Sequence, residues 1–184
     1  SSFYTPHHLV QITTDVIKKN IKNTTELSLI DTSCGYGSFL NIGHFKKTIG
    51  VDIDIEAINQ AKKSSTTARL YISNSLQGVS RNIFDVDENE KIIIVGNPPY
   101  NDTTSIIRQA TKDKTATNAI DRDIKTRDLG MSFLLSYNKL RADYVCVLHP
   151  LSYLIKKANF ALIRKFAENY KLVDGLVISS HEFS

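Results

Sequence analysis

The chain has 184 residues, 41% of them hydrophobic and 23% charged, a balance typical of one soluble globular domain with its own core. It has no apolar run of 18 residues and no signal-peptide pattern, so the sequence predicts neither membrane insertion nor secretion. The net charge of +4 is compatible with nucleic-acid binding without establishing it. Two cysteines in unlike contexts, Cys34 and Cys146, predict no disulfide or metal site and favour a reducing, cytoplasmic setting.

The chain opens on Phe3-Tyr4-Thr5-Pro6, which is typical of a helix start. Thr5 is a favoured N-cap residue and Pro6 a favoured first helical residue. Apolar residues then recur with helical spacing, so we predict a helix that runs to about Asn20.

The first predicted strand, 27–31, ends in Asp31 and runs into the glycine turn Cys34-Gly35-Tyr36-Gly37. Glycines let the backbone approach a ligand closely, and the helix start predicted near Leu40 would present free N–H groups. Because the acid stands before the glycines, the pattern suits a ligand with an ammonium group better than a pyrophosphate. A plain strand–helix turn is the alternative.

The second predicted strand, 47–52, also ends in an acid, Asp52. An acid roughly 20 residues after a glycine turn is placed to accept hydrogen bonds from both ribose hydroxyls. Asp54 is then expected to cap a helix with three apolar residues on one side, namely Ile55, Ile58 and Ala61.

Further elements follow from the same patterns of apolar residues. We predict strands at 69–73, 91–96, 144–148 and 172–179, a helix over 128–140, and a helix capped by Ser152 that buries Leu154, Phe160, Ile163 and Phe166. Asn74 and Ser75 follow the third strand, and His149 follows the fifth. We interpret His149 as a residue that ends its strand rather than as a catalyst.

The fourth predicted strand runs into Gly96-Asn97-Pro98-Pro99-Tyr100. Asn97 offers an amide oxygen and an amide N–H group, and the two prolines hold the Pro98 carbonyl in a stiff frame. Tyr100 adds a flat amphipathic ring. Such a set can accept two hydrogen bonds from an exocyclic amine while the ring stacks on its base, although Pro-Pro alone also marks a turn.

Residues 101–127 are polar and have no clear period. Long loops inside compact domains are usually functional or disordered. The segment is either a solvated loop or a loop that contacts DNA phosphates through its basic residues, which are Arg108, Lys112, Lys114, Arg122, Lys125 and Arg127.

Alternating strands and helices predict an α/β fold with a mostly parallel sheet and helices on both faces. The two strands that end in acids and the Asn-Pro-Pro-Tyr strand would then open on the same edge, where such sheets bind their ligands. No metal site is predicted.

The motifs Tyr4-Thr5-Pro6, Asp31 to Gly37, Gly50 to Asp54 and Asn97-Pro98-Pro99-Tyr100 stand in an order that resembles one enzyme family. This family comprises the amino-methylating DNA methyltransferases of restriction–modification systems, in their gamma class. The interval between Asp31 and Asn97 is too short for a recognition domain, which argues against the alpha-class order. The resemblance implies a Rossmann-like methyltransferase fold and S-adenosylmethionine (SAM) as the cofactor, with S-adenosylhomocysteine as product.

The resemblance also implies roles for individual residues. Asp31 would hold the methionine ammonium, Asp52 the ribose hydroxyls, and Ile53 would pack on the adenine ring. Asn74 stands where the family commonly has an aspartate that accepts a hydrogen bond from the adenine amine, and an asparagine carbonyl can still accept that bond. The remaining cofactor residues would be Tyr4, Thr5, Pro6, Cys34, Gly35, Tyr36, Gly37 and Ser75.

In the family, the target base is flipped out of duplex DNA. Asn97 and the Pro98 carbonyl would accept both hydrogens of its amine, with Pro99 and Tyr100 completing the catalytic motif, and Tyr100 and Phe183 would stack on the base. The expected reaction is methylation of adenine N6. Methylation of cytosine N4 or of a protein glutamine, and a non-catalytic module that binds SAM or DNA, are the alternatives.

The resemblance extends over nearly the whole of 1–184, which we expect to be the catalytic domain of a longer protein. The family's last strand and its target-recognition domain would follow Ser184. Duplex DNA and a cognate restriction endonuclease are the expected partners, in the cytoplasm of a bacterial or archaeal cell.

Overall fold

A computed structural model describes residues 4–65, 67–100 and 120–183 of the chain, without the side chains of residues 158 and 183. Five parallel strands form one sheet in the order β3-β2-β1-β4-β5. The strands are β1 (Ser28–Asp31), β2 (Lys47–Asp52), β3 (Arg69–Ile72), β4 (Ile92–Gly96) and β5 (Tyr144–Val147). Each begins and ends within one residue of its predicted limits, because buried apolar runs between polar turns mark parallel strands well.

Helices cover both faces of the sheet, as the sequence predicts. They are α1 (His7–Asn20), α2 (Ile55–Ser64), α3 (Leu129–Lys139), α4 (Ser152–Ile155) and α5 (Phe160–Ala167), with 3₁₀ turns at Arg81–Phe84, Lys157–Asn159 and Ser180–Phe183. In the interior strand β4, Ile92 and Ile94 join the core on the side of α3 and α5. Ile93 and Val95 join the core on the side of α1 and α2. All four are fully buried, and burial of each side chain contributes about 1.5–3 kcal/mol.

Local capping explains where two of the helices begin. The Asp54 carboxylate accepts hydrogen bonds from the N–H groups of Glu56 and Ala57, which confirms the predicted cap of α2. Asp128 caps α3 in the same manner through the N–H of Met131. The prediction for Ile55 was wrong, because it is exposed and Ala57 takes its place in the core beside Ile58 and Ala61.

The first helix begins one residue later than predicted. Pro6 occupies the N-cap position of α1, and its side chain makes no capping hydrogen bond. Thr5, expected to be the cap, is buried and directs its hydroxyl towards Asn97 instead.

No helix follows the glycine turn, contrary to prediction. Residues 35–41 form consecutive turns in which the N–H of Gly37 bonds to the Cys34 carbonyl and that of Leu40 to the Gly37 carbonyl. Gly35 and Gly37 have φ of 51° and 83°, and left-handed residues interrupt a right-handed helix. The expected row of free helical N–H groups is therefore absent there.

The helix predicted from Ser152 is also wrong in part. Ser152 makes no capping hydrogen bond, and Lys156 has an extended conformation that separates α4 from the 3₁₀ turn and α5. Leu154 and Phe160 are consequently exposed, whereas Ile163 and Phe166 pack against the core.

The predicted sixth strand does not form. Residues 171–179 have no strand assignment and pair with no strand in the described part of the chain. Leu172, Val173, Leu176 and Val177 are exposed, so the apolar pattern alone does not make a strand without a neighbour to pair with.

Some predictions fall outside the described residues. These concern Arg108, Lys112 and Lys114 in the polar segment and the stacking ring of Phe183. Arg122, Lys125 and Arg127 are described and exposed.

Candidate active site

The carboxyl edge of the sheet brings together motifs that lie far apart in the sequence. Asp31 and Asp52 are the last residues of β1 and β2, Asn97 directly follows β4, and His149 lies two residues beyond β5. Because all five strands are parallel, these residues share one edge, where open α/β sheets bind ligands.

Asp31 is a buried carboxyl group that the backbone of β4 closely approaches. Its side chain accepts one hydrogen bond in the described part of the chain, from the N–H of Ser33 at 3.2 Å. A Cβ atom on Gly96 would lie 2.7 Å from Asp31 Oδ1, so only glycine leaves room for this carboxyl group. Burial raises the pKa of Asp31 to about 8, and the nearby Asp52 carboxylate adds to the rise while the Ser33 N–H opposes it.

The glycine turn is fastened to β2 by two hydrogen bonds. The N–H of Cys34 donates to the Val51 carbonyl at 2.9 Å, and the N–H of Gly35 donates to Asp52 Oδ2 at 2.8 Å. The other carboxylate oxygen of Asp52 accepts from the N–H of Asp54 at 2.9 Å. The turn and Asp52 thus form one unit, and each Asp52 oxygen keeps a lone pair for a further donor.

The loop after β3 joins the same edge. Ser75 is buried, and its hydroxyl donates to the Thr32 carbonyl at 2.7 Å, so it ties this loop to the glycine turn. Asn74 Oδ1 accepts from the N–H of Leu76 at 3.0 Å. Ile53, beyond β2, is 47% exposed, an accessible apolar side chain next to Asp52.

Asn97 meets the start of the chain. Its Nδ2 group donates to Thr5 Oγ1 at 3.4 Å, which joins the Asn-Pro-Pro-Tyr and Tyr-Thr-Pro motifs across the edge. Asn97 Oδ1 is buried and has no hydrogen-bond partner in the part of the chain that is described. An unsatisfied buried carbonyl costs about 1–3 kcal/mol, so this oxygen is a strong candidate to accept a ligand's hydrogen.

The residues around Asn97 differ in exposure. Pro98 is buried and Pro99 half-buried, whereas Tyr100 is 41% exposed. Tyr4, on the other side of the Thr5 contact, is 62% exposed. The edge therefore offers two accessible aromatic rings beside a buried amide oxygen.

His149 is more deeply involved in the edge than its sequence position indicates. Both of its ring nitrogens are buried without a well-formed hydrogen bond in the described part of the chain. Burial lowers its pKa to about 4, with a partial opposing contribution from the Gly130 backbone. Sequence reasoning also missed Gly96, although a glycine at the end of a buried strand is a signal of close approach.

These residues fit SAM in kind. A buried carboxyl group with a single hydrogen bond suits the ammonium of a methionine moiety, and Asp52 has acceptor capacity for ribose hydroxyls. The described residues contain no cluster of three or more His, Cys, Asp or Glu side chains that could hold a metal ion.

Solved structures share this fold. A protein described as a class I SAM-dependent methyltransferase, from Listeria monocytogenes, superposes with a TM-score of 0.61 at 16% identity, covering 89% of this chain and 51% of its own. The modification subunit of a type I restriction enzyme from Vibrio vulnificus gives 0.60 at 19% identity, covering 90% and 38%. A type I restriction–modification methyltransferase subunit from Streptococcus thermophilus gives 0.56 at 15% identity, with the same coverage. The chain therefore has the Rossmann-like fold of SAM-dependent methyltransferases, and spans about half or less of these proteins.

No protein-family model matches the chain, and no curated protein sequence matches it. Among the described residues, no helix has the length and apolar character needed to cross a membrane.

Proposed function

We propose that this chain transfers a methyl group from SAM to the exocyclic N6 amine of an adenine flipped out of duplex DNA. In this proposal it serves as the modifying activity of a restriction–modification system. The fold supports SAM chemistry, and two of the similar structures are described as methylation subunits of type I restriction systems. The resemblance of the Asn-Pro-Pro-Tyr motif to amino-methylating enzymes narrows the substrate to an amine.

The observation that carries the proposal is the Oδ1 atom of Asn97, which is buried and has no hydrogen-bond partner among the described residues. Asn97 Nδ2 donates to Thr5 Oγ1, and in this arrangement Oδ1 is left to accept a hydrogen bond from a ligand. Pro98 and Pro99 have restricted φ angles, so the Pro98 carbonyl is held in a rigid part of the backbone. Two acceptors on a rigid corner match the two hydrogens of an amine and draw its lone pair towards the methyl donor.

In the proposed complex, Asp31 holds the methionine ammonium and the 34–37 turn lies along the methionine. Tyr4, Thr5 and Pro6 line the same end. Asp52 accepts from the ribose, and Ile53, Asn74 and Ser75 surround the adenine. When bound, SAM would supply an electrophilic methyl group. The amine nitrogen would form a bond to this methyl carbon as its bond to sulfur breaks, S-adenosylhomocysteine would be the leaving group, and one amine proton would pass to solvent. The protein contributes position and electrostatics, and no strong general base is required.

The target base would stack on Tyr100, whose ring is accessible. Base–aromatic stacking is worth about 1–3 kcal/mol and offsets part of the cost of flipping the base. Phe183 is proposed as a second stacking residue. Duplex DNA, and a restriction endonuclease that cuts unmodified sites, are the proposed partners, and the bacterial or archaeal cytoplasm is the proposed location.

Nucleoside mass spectrometry tests this proposal. The chain, and the longest polypeptide its gene encodes, are expressed in a bacterial host that lacks DNA methylation, and the digested host DNA is analysed. We expect N6-methyladenine in host DNA. We expect Asn97→Ala to lower it by at least about 10²–10³-fold, the effect of removing one electrostatic contact in a catalytic site.

The matched control is Asn59→Ala, which removes an exposed asparagine on α2 and should leave methylation unchanged. Detection of N4-methylcytosine in place of N6-methyladenine would identify cytosine as the target base. Absence of both products from the longest polypeptide, or full methylation by Asn97→Ala, would contradict the proposal.

A further inference from the structure

Three side chains converge on Gly130 in the first turn of α3. A Cβ atom built on Gly130 would lie 2.6 Å from the Tyr153 hydroxyl oxygen, 2.9 Å from His149 Cε1 and 3.1 Å from Tyr100 Cβ. The first two distances are too short for any side chain to fit without displacing a neighbour.

Backbone conformation does not explain this glycine. Gly130 is helical and is not among the glycines with positive φ. Glycine inside a helix costs about 1 kcal/mol relative to alanine. The absence of a side chain at Gly130 makes room for its neighbours, and the atoms closest to an added Cβ belong to Tyr153, His149 and Tyr100.

The far side of this group is held in place. Tyr153 is buried, and its hydroxyl donates a hydrogen bond to Asp128 Oδ1, the carboxylate that also caps α3. The rings of His149 and Tyr153 lie 4.4 Å apart between centroids, at 52°. Asp128, Tyr153 and His149 thus form a connected wall, and Tyr100 Cβ lies beside the same Gly130 position that Tyr153 and His149 border.

Tyr100 packs next to Gly130 and is partly exposed. Its Cβ would lie 3.1 Å from a Cβ atom on Gly130, and 41% of its surface is exposed. An aromatic ring anchored at its base has fewer accessible orientations, and stacking depends on orientation.

We propose that Gly130, His149 and Tyr153 are positioning residues that set the orientation of the Tyr100 ring for stacking on the target base. The assignment of the base to Tyr100 rests on the proposed function. The buried His149 ring, whose pKa is lowered, stays neutral in this wall at physiological pH.

A tryptophan reporter tests this inference without any need for activity. The chain contains no tryptophan, so Tyr100→Trp introduces a single indole on the same Cβ atom. Gly130→Ala is then added in that background and compared with Gly175→Ala, where an added Cβ meets nothing within 4 Å. Emission maximum and acrylamide quenching of the indole are measured, with a thermal melt to verify folding.

We expect Gly130→Ala to shift the emission and to change the quenching constant at least about twofold, because overpacking displaces side chains. Gly175→Ala should change neither. Tyr153→Phe removes the oxygen nearest the new methyl group, so Gly130→Ala with Tyr153→Phe should recover part of the parent signal. Should Gly130→Ala fail to fold, Tyr153→Phe alone decides: release from Asp128 should increase quenching of the indole.

In otherwise unmodified protein, Gly130→Ala should lower kcat for DNA methylation about 10- to 100-fold and leave SAM affinity within twofold, since only ring position changes. Unchanged fluorescence in folded Gly130→Ala, or equal effects of Gly130→Ala and Gly175→Ala, would overturn the inference. If no variant or parent methylates DNA, the proposed function fails while the fluorescence comparison still decides this inference.

Discussion

The buried polar groups at the two edges of the sheet differ in whether they have hydrogen-bond partners. At the amino edge, the Arg81 guanidinium donates to four carbonyls, those of Asp87, Glu90, Leu140 and Arg141. The buried Glu90 carboxylate there accepts from the Ser28 hydroxyl and from Lys47 Nζ.

At the carboxyl edge, Ser33 Oγ, Asn97 Oδ1 and both ring nitrogens of His149 are buried and make no well-formed hydrogen bond to any residue that the structure describes. Among the described residues, Ser65 Oγ is the only other buried side-chain nitrogen or oxygen atom without a hydrogen-bond partner. The buried polar groups of the amino edge satisfy one another and stabilise the fold without a ligand. The carboxyl edge leaves buried polar groups available to a ligand.

The largest effect on stability is expected at the amino edge. Arg81→Leu should lower the free energy of unfolding by about 3–5 kcal/mol, because four carbonyls lose a buried charged donor. Urea titration followed by circular dichroism measures it. Arg122→Ala, at an exposed arginine, is the control and should change stability by less than about 0.5 kcal/mol. If both substitutions change the free energy of unfolding by equally small amounts, the hydrogen bonds of the amino edge do not stabilise the fold.

Substitution of Asp31 is expected to stabilise the fold and to weaken SAM binding. Asp31→Asn removes a buried carboxyl group whose pKa of about 8 makes ionisation costly, so at pH 8.5 or so it should raise the free energy of unfolding by about 1–3 kcal/mol. SAM affinity should fall at least about tenfold, or 1.4 kcal/mol, because the ammonium loses its carboxylate. Thermal melts and calorimetry give the two quantities.

The stability of the wild-type protein should depend on pH through the same group. The folded pKa of Asp31 is raised above its unfolded value, so the folded state binds the extra proton between about pH 4 and pH 8. Its contribution is full below about pH 4 and is lost as the pH rises towards 8. Asp31→Asn should lack this decline, and an identical pH profile for both proteins would contradict the buried, protonated carboxyl group.

The smallest effects come from a pair of neighbouring acids. Asp52→Ala should weaken SAM binding by about 1–3 kcal/mol, because ribose hydroxyls and the Gly35 N–H lose an acceptor. Asp54→Ala removes only the cap of α2, so it should cost about 1 kcal/mol of stability and leave SAM affinity unchanged. Calorimetric titration separates the two, and equal affinities would place the ribose elsewhere.

Much of the fold, and the sheet edge at which the proposed cofactor residues meet, could be predicted from sequence because the signals are local. Strands such as 92–96 are unbroken apolar runs, and the acids at 31 and 52 sit at their ends. The motif residues meet at one edge because parallel topology makes strand ends coincide, which a sequence can indicate without tertiary detail.

The rest depends on contacts between distant residues. Residues 172–179 have a strand-like composition, but a strand also requires a paired neighbour. The residues after the glycine turn have the sequence pattern of a helix. Gly35 and Gly37 have left-handed φ angles, however, and the chain continues in turns. The approach of Gly130 to Tyr100, His149 and Tyr153 depends on how α3 packs against α4, which no local pattern encodes.

Calorimetric titration of the purified chain with SAM across pH tests most directly that the carboxyl edge is a SAM site built on Asp31. Between about pH 6 and pH 8 we predict that affinity rises about tenfold per pH unit, because Asp31 must release its proton to pair with the ammonium. Above pH 8 affinity should fall again, because the free α-amino group of SAM, with a pKa of about 8, loses its own proton. Binding below pH 8 should release close to one proton, measured in buffers of different ionisation enthalpy. Absence of SAM binding, or binding that releases no proton and persists in Asp31→Asn, would contradict the account.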